Sequence, residues 1–275
     1  MTDNLHILVL GGTGKTGSRV ATALRKRGHT PSVASRHGPV LFDWSDSNTW
    51  KDAVAGVQAV YVVDSSGDQA PAEVKAFCQV AARAGVRRLV LLSARVFGEL
   101  GKGWLDIEEA VKSAAAEWTI LRPTWFAQNF TEEPTYFGSL WDGSGELRLP
   151  TGNGHEAFID LEDLADCAAS ALSESDHEGK IYVLSGAQSL TMEEAVGQIA
   201  AKTGLSLRFQ PVTEPSFRAE LAAVGKQDEG IIAMCRNIRE ERGAEPVDGV
   251  RDMLGRPPKS FTDYVNRTDF NRSVA

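Results

Sequence analysis

A short apolar run, Leu5-His6-Ile7-Leu8-Val9-Leu10, meets Gly11-Gly12-Thr13-Gly14 with no spacer, and Gly11, Gly14 and Gly17 follow in the spacing G-x-x-G-x-x-G. Beyond them Val20, Ala21 and Leu24 recur at helical spacing until Gly28. Strand, tight turn and helix in that order set the free N–H groups and positive end of a helix beside a strand terminus, where a pyrophosphate can be held. Glycine permits the turn, and a side chain at Gly14 would occupy the space the phosphate needs. The stretch Gly12-Thr13-Gly14-Lys15-Thr16 also resembles a triphosphatase loop, but that pattern requires glycine at position 9, which is Val9. The segment is read as a dinucleotide loop contacted through Gly11, Gly12, Thr13, Gly14, Lys15 and Thr16.

The strand and helix signals then alternate. Strands are predicted near 31–35, 58–63, 88–92, 118–122 and 181–184, and helices near 47–56, 70–84, 105–116 and 161–172. Such alternation means βαβ units, and the runs at 59–63 and 89–92 are apolar without a period of two, as in strands covered on both faces. Thr191 with Glu194 reads as a capping box for a helix that stops before Gly204, and Asp160 is placed to cap the helix carrying Leu161, Leu164, Ala165, Ala168 and Leu172. After about residue 128 glycine and proline become frequent, and from 186 the segments are mainly helical. The expected architecture is α/β, a Rossmann-type doubly wound parallel sheet with a smaller, discontinuous, mainly helical substrate domain. Residues 1–128 plus about 156–186 would form the dinucleotide-binding domain. About 129–155 plus 187–275 would form the smaller one, as the far wall of a cleft over the cofactor.

A dinucleotide without a 2′-phosphate usually meets an acidic residue about 20 positions beyond the glycines, at the end of the second strand. Here that place reads Ser35-Arg36-His37, which offers donors and positive charge in place of a carboxylate. NADP(H) is therefore the expected cofactor. Asp43 and Trp44 follow the third short strand, where Asp43 could accept from an adenine amino group and Trp44 flank the base; a plain helix-approach turn, with Asp46 or Ser47 as cap, is the other reading.

The chain's 275 residues, 42% of them apolar and 24% charged, suffice for a large buried core. A net charge of −8 supplies no overall positive field for a nucleic acid backbone. No apolar run approaches the roughly 20 residues of a membrane helix, and Met1-Thr2-Asp3-Asn4 lacks the marks of a signal peptide, so neither nucleic acid nor membrane is an expected partner and a cytoplasmic location is expected. Cys78, Cys167 and Cys235 lie far apart in apolar patterns and read as packed thiols. No histidine pattern indicates a metal, and no serine sits in a hydrolase elbow.

Longer segments carry a resemblance. They are Val9-Leu10-Gly11-Gly12-Thr13-Gly14-Lys15-Thr16-Gly17, Ala84-Gly85-Val86-Arg87-Arg88-Leu89-Val90-Leu91-Leu92-Ser93 and Glu117-Trp118-Thr119-Ile120-Leu121-Arg122-Pro123-Thr124-Trp125-Phe126. Gln128-Asn129-Phe130, Pro150-Thr151-Gly152-Asn153-Gly154, Phe158-Ile159-Asp160 and Gly255-Arg256-Pro257-Pro258 continue it. Together they resemble the NmrA-like group of atypical short-chain dehydrogenase/reductases, close in pattern to the festuclavine/agroclavine dehydrogenase type, over nearly the whole chain. The resemblance implies NADP(H), with the loop after Ser93 and the segment Pro123-Thr124-Trp125 near the nicotinamide. It also implies that Phe126, Asn129 and Phe130 face substrate, with interdomain core as the other reading for Trp125, Phe126 and Phe130. Trp104 and His155, the latter in the glycine loop, complete the expected substrate contacts.

Ordinary short-chain dehydrogenases use a tyrosine acid with a lysine four residues later. Tyr61, Tyr136, Tyr182 and Tyr264 are followed at that distance by Ser65, Leu140, Gly186 and Thr268, and the helix that would carry the pair reads Trp104-Leu105-Asp106-Ile107-Glu108-Glu109-Ala110-Val111-Lys112. One reading is a reductase of iminium carbons, quinones or activated alkenes, with Ser93 and Asn129 as catalytic candidates and Ser93 or a water as proton donor where one is needed. The alternative is a non-catalytic NmrA-like protein that senses the dinucleotide. The expected partner is a small-molecule substrate, and the expected state a monomer or homodimer.

Overall fold

The apolar run before the glycines is the first strand of a seven-stranded parallel sheet in a computed structural model, which describes residues 5–95, 102–114 and 117–270. The strands are β1 (Ile7–Leu10), β2 (Ser32–Ser35), β3 (Val40–Leu41), β4 (Ala59–Val62), β5 (Arg88–Leu92), β6 (Glu117–Pro123) and β7 (Lys180–Leu184). They lie in the order β3-β2-β1-β4-β5-β6-β7, every ladder parallel. The order reverses between β1 and β4, where a doubly wound sheet opens a crevice at its carboxyl edge. β1 and β4 are buried along their whole length, which explains why neither alternates polar and apolar residues.

The helices that cover this sheet are α1 (Gly17–Lys26), α2 (Trp50–Ala53), α3 (Ala70–Arg83), α4 (Lys102–Ala114), α5 (Leu161–Ser173) and α6 (Gly249–Leu254). Helix α1 packs on α5, and α3 on α4. In α1 the buried stripe is Val20, Ala21, Ala23 and Leu24, and the chain leaves it through Gly28 at φ 87°. Pro71 opens α3, which buries Val74, Phe77, Cys78 and Ala81. The doubly wound α/β fold is the one the alternation predicts.

The chain divides into two compact units. The first holds the chain up to Pro123 with Leu161–Leu184 and Gly249–Arg256; the second holds Thr124–Asp160, Ser185–Asp248 and Pro257 onward. The sequence reading put 249–256 in the smaller unit, but long-range contacts tie it to the sheet. Gly249 lies so close to β7 that a Cβ there would stand 1.9 Å from the Val183 carbonyl oxygen. Arg256 donates to Asp163 and Asp166 of α5 at 2.7 and 2.8 Å. The bounds at 124 and 160 also differ from 128 and 156. Thr124 donates to the Ala157 carbonyl at 2.5 Å, and the Ile159 N–H donates to the Trp125 carbonyl at 2.8 Å, so both edges pack inside the second unit.

The second unit is mainly helical, with helices at Met192–Thr203, Glu214–Ala223, Glu229–Arg239 and Phe261–Arg267 and two short strand pairs. The capping box at Thr191 and Glu194 is present, and Gly204 closes that helix at φ 72°. Asp160 accepts from Gln128 Nε2 at 2.9 Å and pairs with Arg267. The three cysteines are unpaired and buried, and burial pushes their thiols up, that of Cys78 to about 12. No described helix is long and apolar enough to cross a membrane.

Two residues expected to face substrate lie instead in the core of this unit. Phe130 is fully buried, with ring centroids of Phe137, Phe158 and Phe261 at 5.0, 5.5 and 5.3 Å. Trp125 is 6% exposed and lies against Phe137 at 5.9 Å. Aromatic rings pack edge to face around one another here because that arrangement buries large apolar area. Phe130→Ala should therefore cost about 3–5 kcal/mol of stability, read as a lower urea midpoint at unchanged slope.

Candidate functional site

The glycine turn owes its shape to three different constraints. Gly11 has φ 59°, in the left-handed region. Gly17 lets α1 start against the end of β1, since a Cβ there would stand 2.4 Å from the Gly11 carbonyl oxygen. Gly14 donates to the Gly11 carbonyl at 2.8 Å and lies exposed at the turn's surface. Gly12, expected as a phosphate contact, is buried instead: its N–H donates to Ala34 at 3.0 Å, and a Cβ would come 2.7 Å from Val33 Cγ1. Its role is close packing of β1 against β2.

A cavity of about 670 Å³ opens beside this turn, within the first unit. Gly11, Thr13 and Gly14 form one wall, Ser35, Arg36 and His37 a second, and the segments after β3 and β4 with Glu73 of α3 the rest. Arg36 and His37 are exposed at the rim. Ser35 lines the cavity, and its hydroxyl is buried and has no hydrogen-bond partner among the described residues. Such a hydroxyl costs free energy unless a ligand or water satisfies it. Gly11, Gly14, Ser35 and Arg36 line the same cavity, and an arginine at its rim suits a phosphate-bearing ligand. Thr16, half-buried, is the N-cap residue of α1, and the Lys15 carbonyl accepts from Arg19 at 2.8 Å.

Asp43 and Trp44 also line this cavity. Asp43 accepts from the Ser45 hydroxyl at 2.8 Å and its N–H at 2.9 Å. These bonds, with the charges of Arg36 and His37, hold its carboxyl below the usual range. The Trp44 indole donates to the Val63 carbonyl at 3.1 Å and packs on Phe42 at 5.0 Å, so one edge of the ring is fixed by the core. Asp64, Ser65 and Glu73 complete the lining and were not singled out from the sequence. Burial raises the carboxyl of Asp64, although Ser66 N–H donates to it at 2.6 Å. The usable signal was position alone: Asp64 follows the central strand β4 at the switch point.

Ser93, just beyond β5, is 7% exposed, and its N–H donates to Leu121 of β6 at 2.8 Å. Its hydroxyl donates to Glu108 Oε1 at 2.7 Å. Glu108, on α4, is 1% exposed, and Arg122 of β6 grips both its oxygens, Nε to Oε1 at 2.9 Å and Nη2 to Oε2 at 2.5 Å. Burial works to raise the Glu108 carboxyl, but bonds from Arg122 and Ser93 and the charges of Arg122 and Lys112 outweigh it, and it sits below the usual range. The sequence showed acids on this helix without showing which one turns inward.

The remaining candidates divide. Pro123 ends β6, and its carbonyl accepts from Arg95 N–H at 2.9 Å. Phe126 and Asn129 are half-buried in the second unit, Asn129 opening a helical turn at Asn129–Glu132. His155 holds Glu241 through Nδ1 at 2.7 Å. The side chain of Trp104 lies outside the described residues. Among the tyrosines, Tyr61 and Tyr264 are buried and their phenols pushed up by burial, Tyr136 donates to Asp228, and the Tyr182 hydroxyl lies 3.0 Å from His177 Nδ1.

Comparison with known proteins agrees with this geometry. A model of the NAD(P)H-binding family matches residues 11–175, more than half of the chain. The uncharacterized oxidoreductase YesF of Bacillus subtilis is 30% identical over 270 residues, covering 94% of this chain and 93% of that protein. Agroclavine dehydrogenase of Claviceps fusiformis is 29% identical over 298 aligned positions, 95% of this chain and 96% of its own length. The NADPH complex of the Escherichia coli quinone oxidoreductase QOR2 shares the fold, with a TM-score of 0.77 at 22% identity over 94% of this chain and 98% of that one. The resemblance to the NmrA-like, clavine-reductase type is in keeping with these relatives, and the chain belongs to the NAD(P)H-binding family of oxidoreductases.

Proposed function

We propose that the protein is an NADP(H)-dependent reductase that passes hydride from NADPH to a small organic acceptor, an iminium or imine, a quinone or an activated C=C, without a Tyr-x-x-x-Lys pair. The observation that carries the cofactor half is the wall Ser35-Arg36-His37 facing the glycine turn across one cavity. A planar guanidinium beside an unsatisfied hydroxyl suits a 2′-phosphate, whereas a cofactor without that group wants a carboxylate acceptor there. The positive N-terminal end of α1 and the open surface of Gly14 would hold the pyrophosphate.

When bound, the nicotinamide supplies the hydride. The protein's share is to orient cofactor and acceptor and to exclude water, which accounts for much of the rate when the acceptor already carries a positive charge. The names of the relatives, a clavine dehydrogenase and a quinone oxidoreductase, support a reductase over a sensor. Asn129, half-buried and polar at the start of its turn, remains the substrate-side candidate.

The test is a calorimetric titration with NADPH, NADH, NADP+ and NAD+, followed by NADPH consumption against iminium, quinone and enone panels. Tight binding of both phosphorylated forms with turnover on a panel is the expected result. Strong discrimination between oxidised and reduced forms without turnover would instead favour the sensing reading. Gly14→Val should abolish dinucleotide binding, since even a Cβ there lies 3.2 Å from the Gly11 carbonyl and the branches would fill the phosphate's place. Arg36→Asp should shift the preference toward NADH by about tenfold or more, through loss of a charge-assisted bond and added repulsion, read from the two dissociation constants. Asn129→Ala should lower turnover more than it lowers NADPH affinity.

A further inference from the structure

The hydroxyl of Ser93 has one proton, and that proton points inward to Glu108 Oε1 at 2.7 Å. For Ser93 to donate outward, its hydroxyl would have to give up this charge-assisted bond to a buried carboxylate, or Glu108 would have to take up a proton and become the donor. Arg122 opposes that step, because its guanidinium binds both carboxylate oxygens and a protonated acid would lose one of those bonds. A carboxylate 1% exposed cannot exchange this partner for solvent without leaving a buried charge unpaired. The direction of the Ser93 hydrogen bond is thus set from behind, by Glu108 and Arg122.

We propose that Glu108, clamped by Arg122, is a positioning residue that fixes the Ser93 hydroxyl as a hydrogen-bond acceptor for the nicotinamide half of the bound dinucleotide, and so removes Ser93 as the proton donor of the reaction. This rests on the cofactor reading above. The side of the sheet follows from topology. Ser35 ends β2 and Arg36 and His37 follow it, on one side of the glycine turn, and the three line the cavity read as the adenosine end. β5 lies two strands, about 10 Å, to the other side of β1, the side left for the nicotinamide end. That end carries donors that fit an acceptor, the carboxamide N–H groups and the ribose hydroxyls. A substrate that needs a proton as well as a hydride must then draw it from water or another group, whereas a cationic acceptor needs none.

Binding separates the two halves of the cofactor. NADPH and 2′,5′-ADP, which carries only the adenosine half, are titrated calorimetrically into the wild type and into Ser93→Ala, Glu108→Ala and Glu108→Gln. Ser93→Ala should weaken NADPH by about fivefold to tenfold, the loss of one hydrogen bond, and leave 2′,5′-ADP unchanged. Glu108→Ala should do the same and add nothing further in combination with Ser93→Ala. Glu108→Gln, whose carbonyl oxygen can still take the Ser93 proton, should restore most of the NADPH affinity. Should Glu108→Ala fail to fold, Ser93→Ala and Glu108→Gln still decide the matter. Unchanged NADPH affinity in Ser93→Ala, equal weakening of both ligands in Glu108→Gln, or a loss above a hundredfold in quinone reduction by Ser93→Ala at saturating NADPH would each overturn the assignment. Absence of binding of either ligand to the wild type would instead overturn the cofactor reading itself.

Discussion

The approach of α1 to the end of β1 is the constraint from which the site follows. A helix can begin so close to a strand only where no side chain intervenes, and a Cβ at Gly17 would stand 2.4 Å from the Gly11 carbonyl oxygen. That contact aims the positive N-terminal end of α1 toward the carboxyl edge of the sheet. A right-handed crossover then returns β2 to one side of β1 and brings Ser35, Arg36 and His37 to the same rim, while β4 falls on the other side. The cavity is the gap this divergence leaves, and its walls carry the end of each strand around it.

Burial of polar groups governs the chemistry at the neighbouring strand ends. Ser35 keeps a buried hydroxyl without a partner among the described residues, which is tolerable in a site that a ligand or water completes. Ser93 has the opposite arrangement, its proton used inside by a carboxylate that Arg122 holds in turn. An ion pair in that position is poor material for stability compared with apolar packing, yet it imposes a direction on the hydroxyl it meets. The unsatisfied group invites a ligand and the satisfied one restricts what kind of ligand can approach.

Much of the first unit was legible because its signals are local. The apolar runs that became β1, β4 and β5, the glycine turn, and the stripe of Val20, Ala21 and Leu24 each depend on residues within a few positions of one another, as does the box at Thr191 and Glu194 in the second unit. Arg36 and Ser35 could be placed because a strand's end is fixed once the strand is. Gly12 was misread because its neighbour Val33 lies on the adjacent strand, and two readings stayed open for Phe130 because an aromatic beside a polar Asn129 looks the same in sequence whether it faces a ligand or three other rings. The segment at 249–256 was misplaced for the same reason, since the Val183 carbonyl and the acids of α5 that hold it lie far back in the chain.

The sequence by itself determined the alternation of strand and helix, the glycine turn and the positive residues after β2, because backbone geometry and hydrophobic period act over a few residues. Tertiary structure alone decided which acid of α4 faces Ser93, that Arg122 meets it, and that Asp64 and Glu73 join the cavity wall. Those outcomes depend on the rotation of a helix about its axis and on the lateral order of strands. Both are set by packing among segments distant in the chain, where a turn of one residue changes the side chain that points inward.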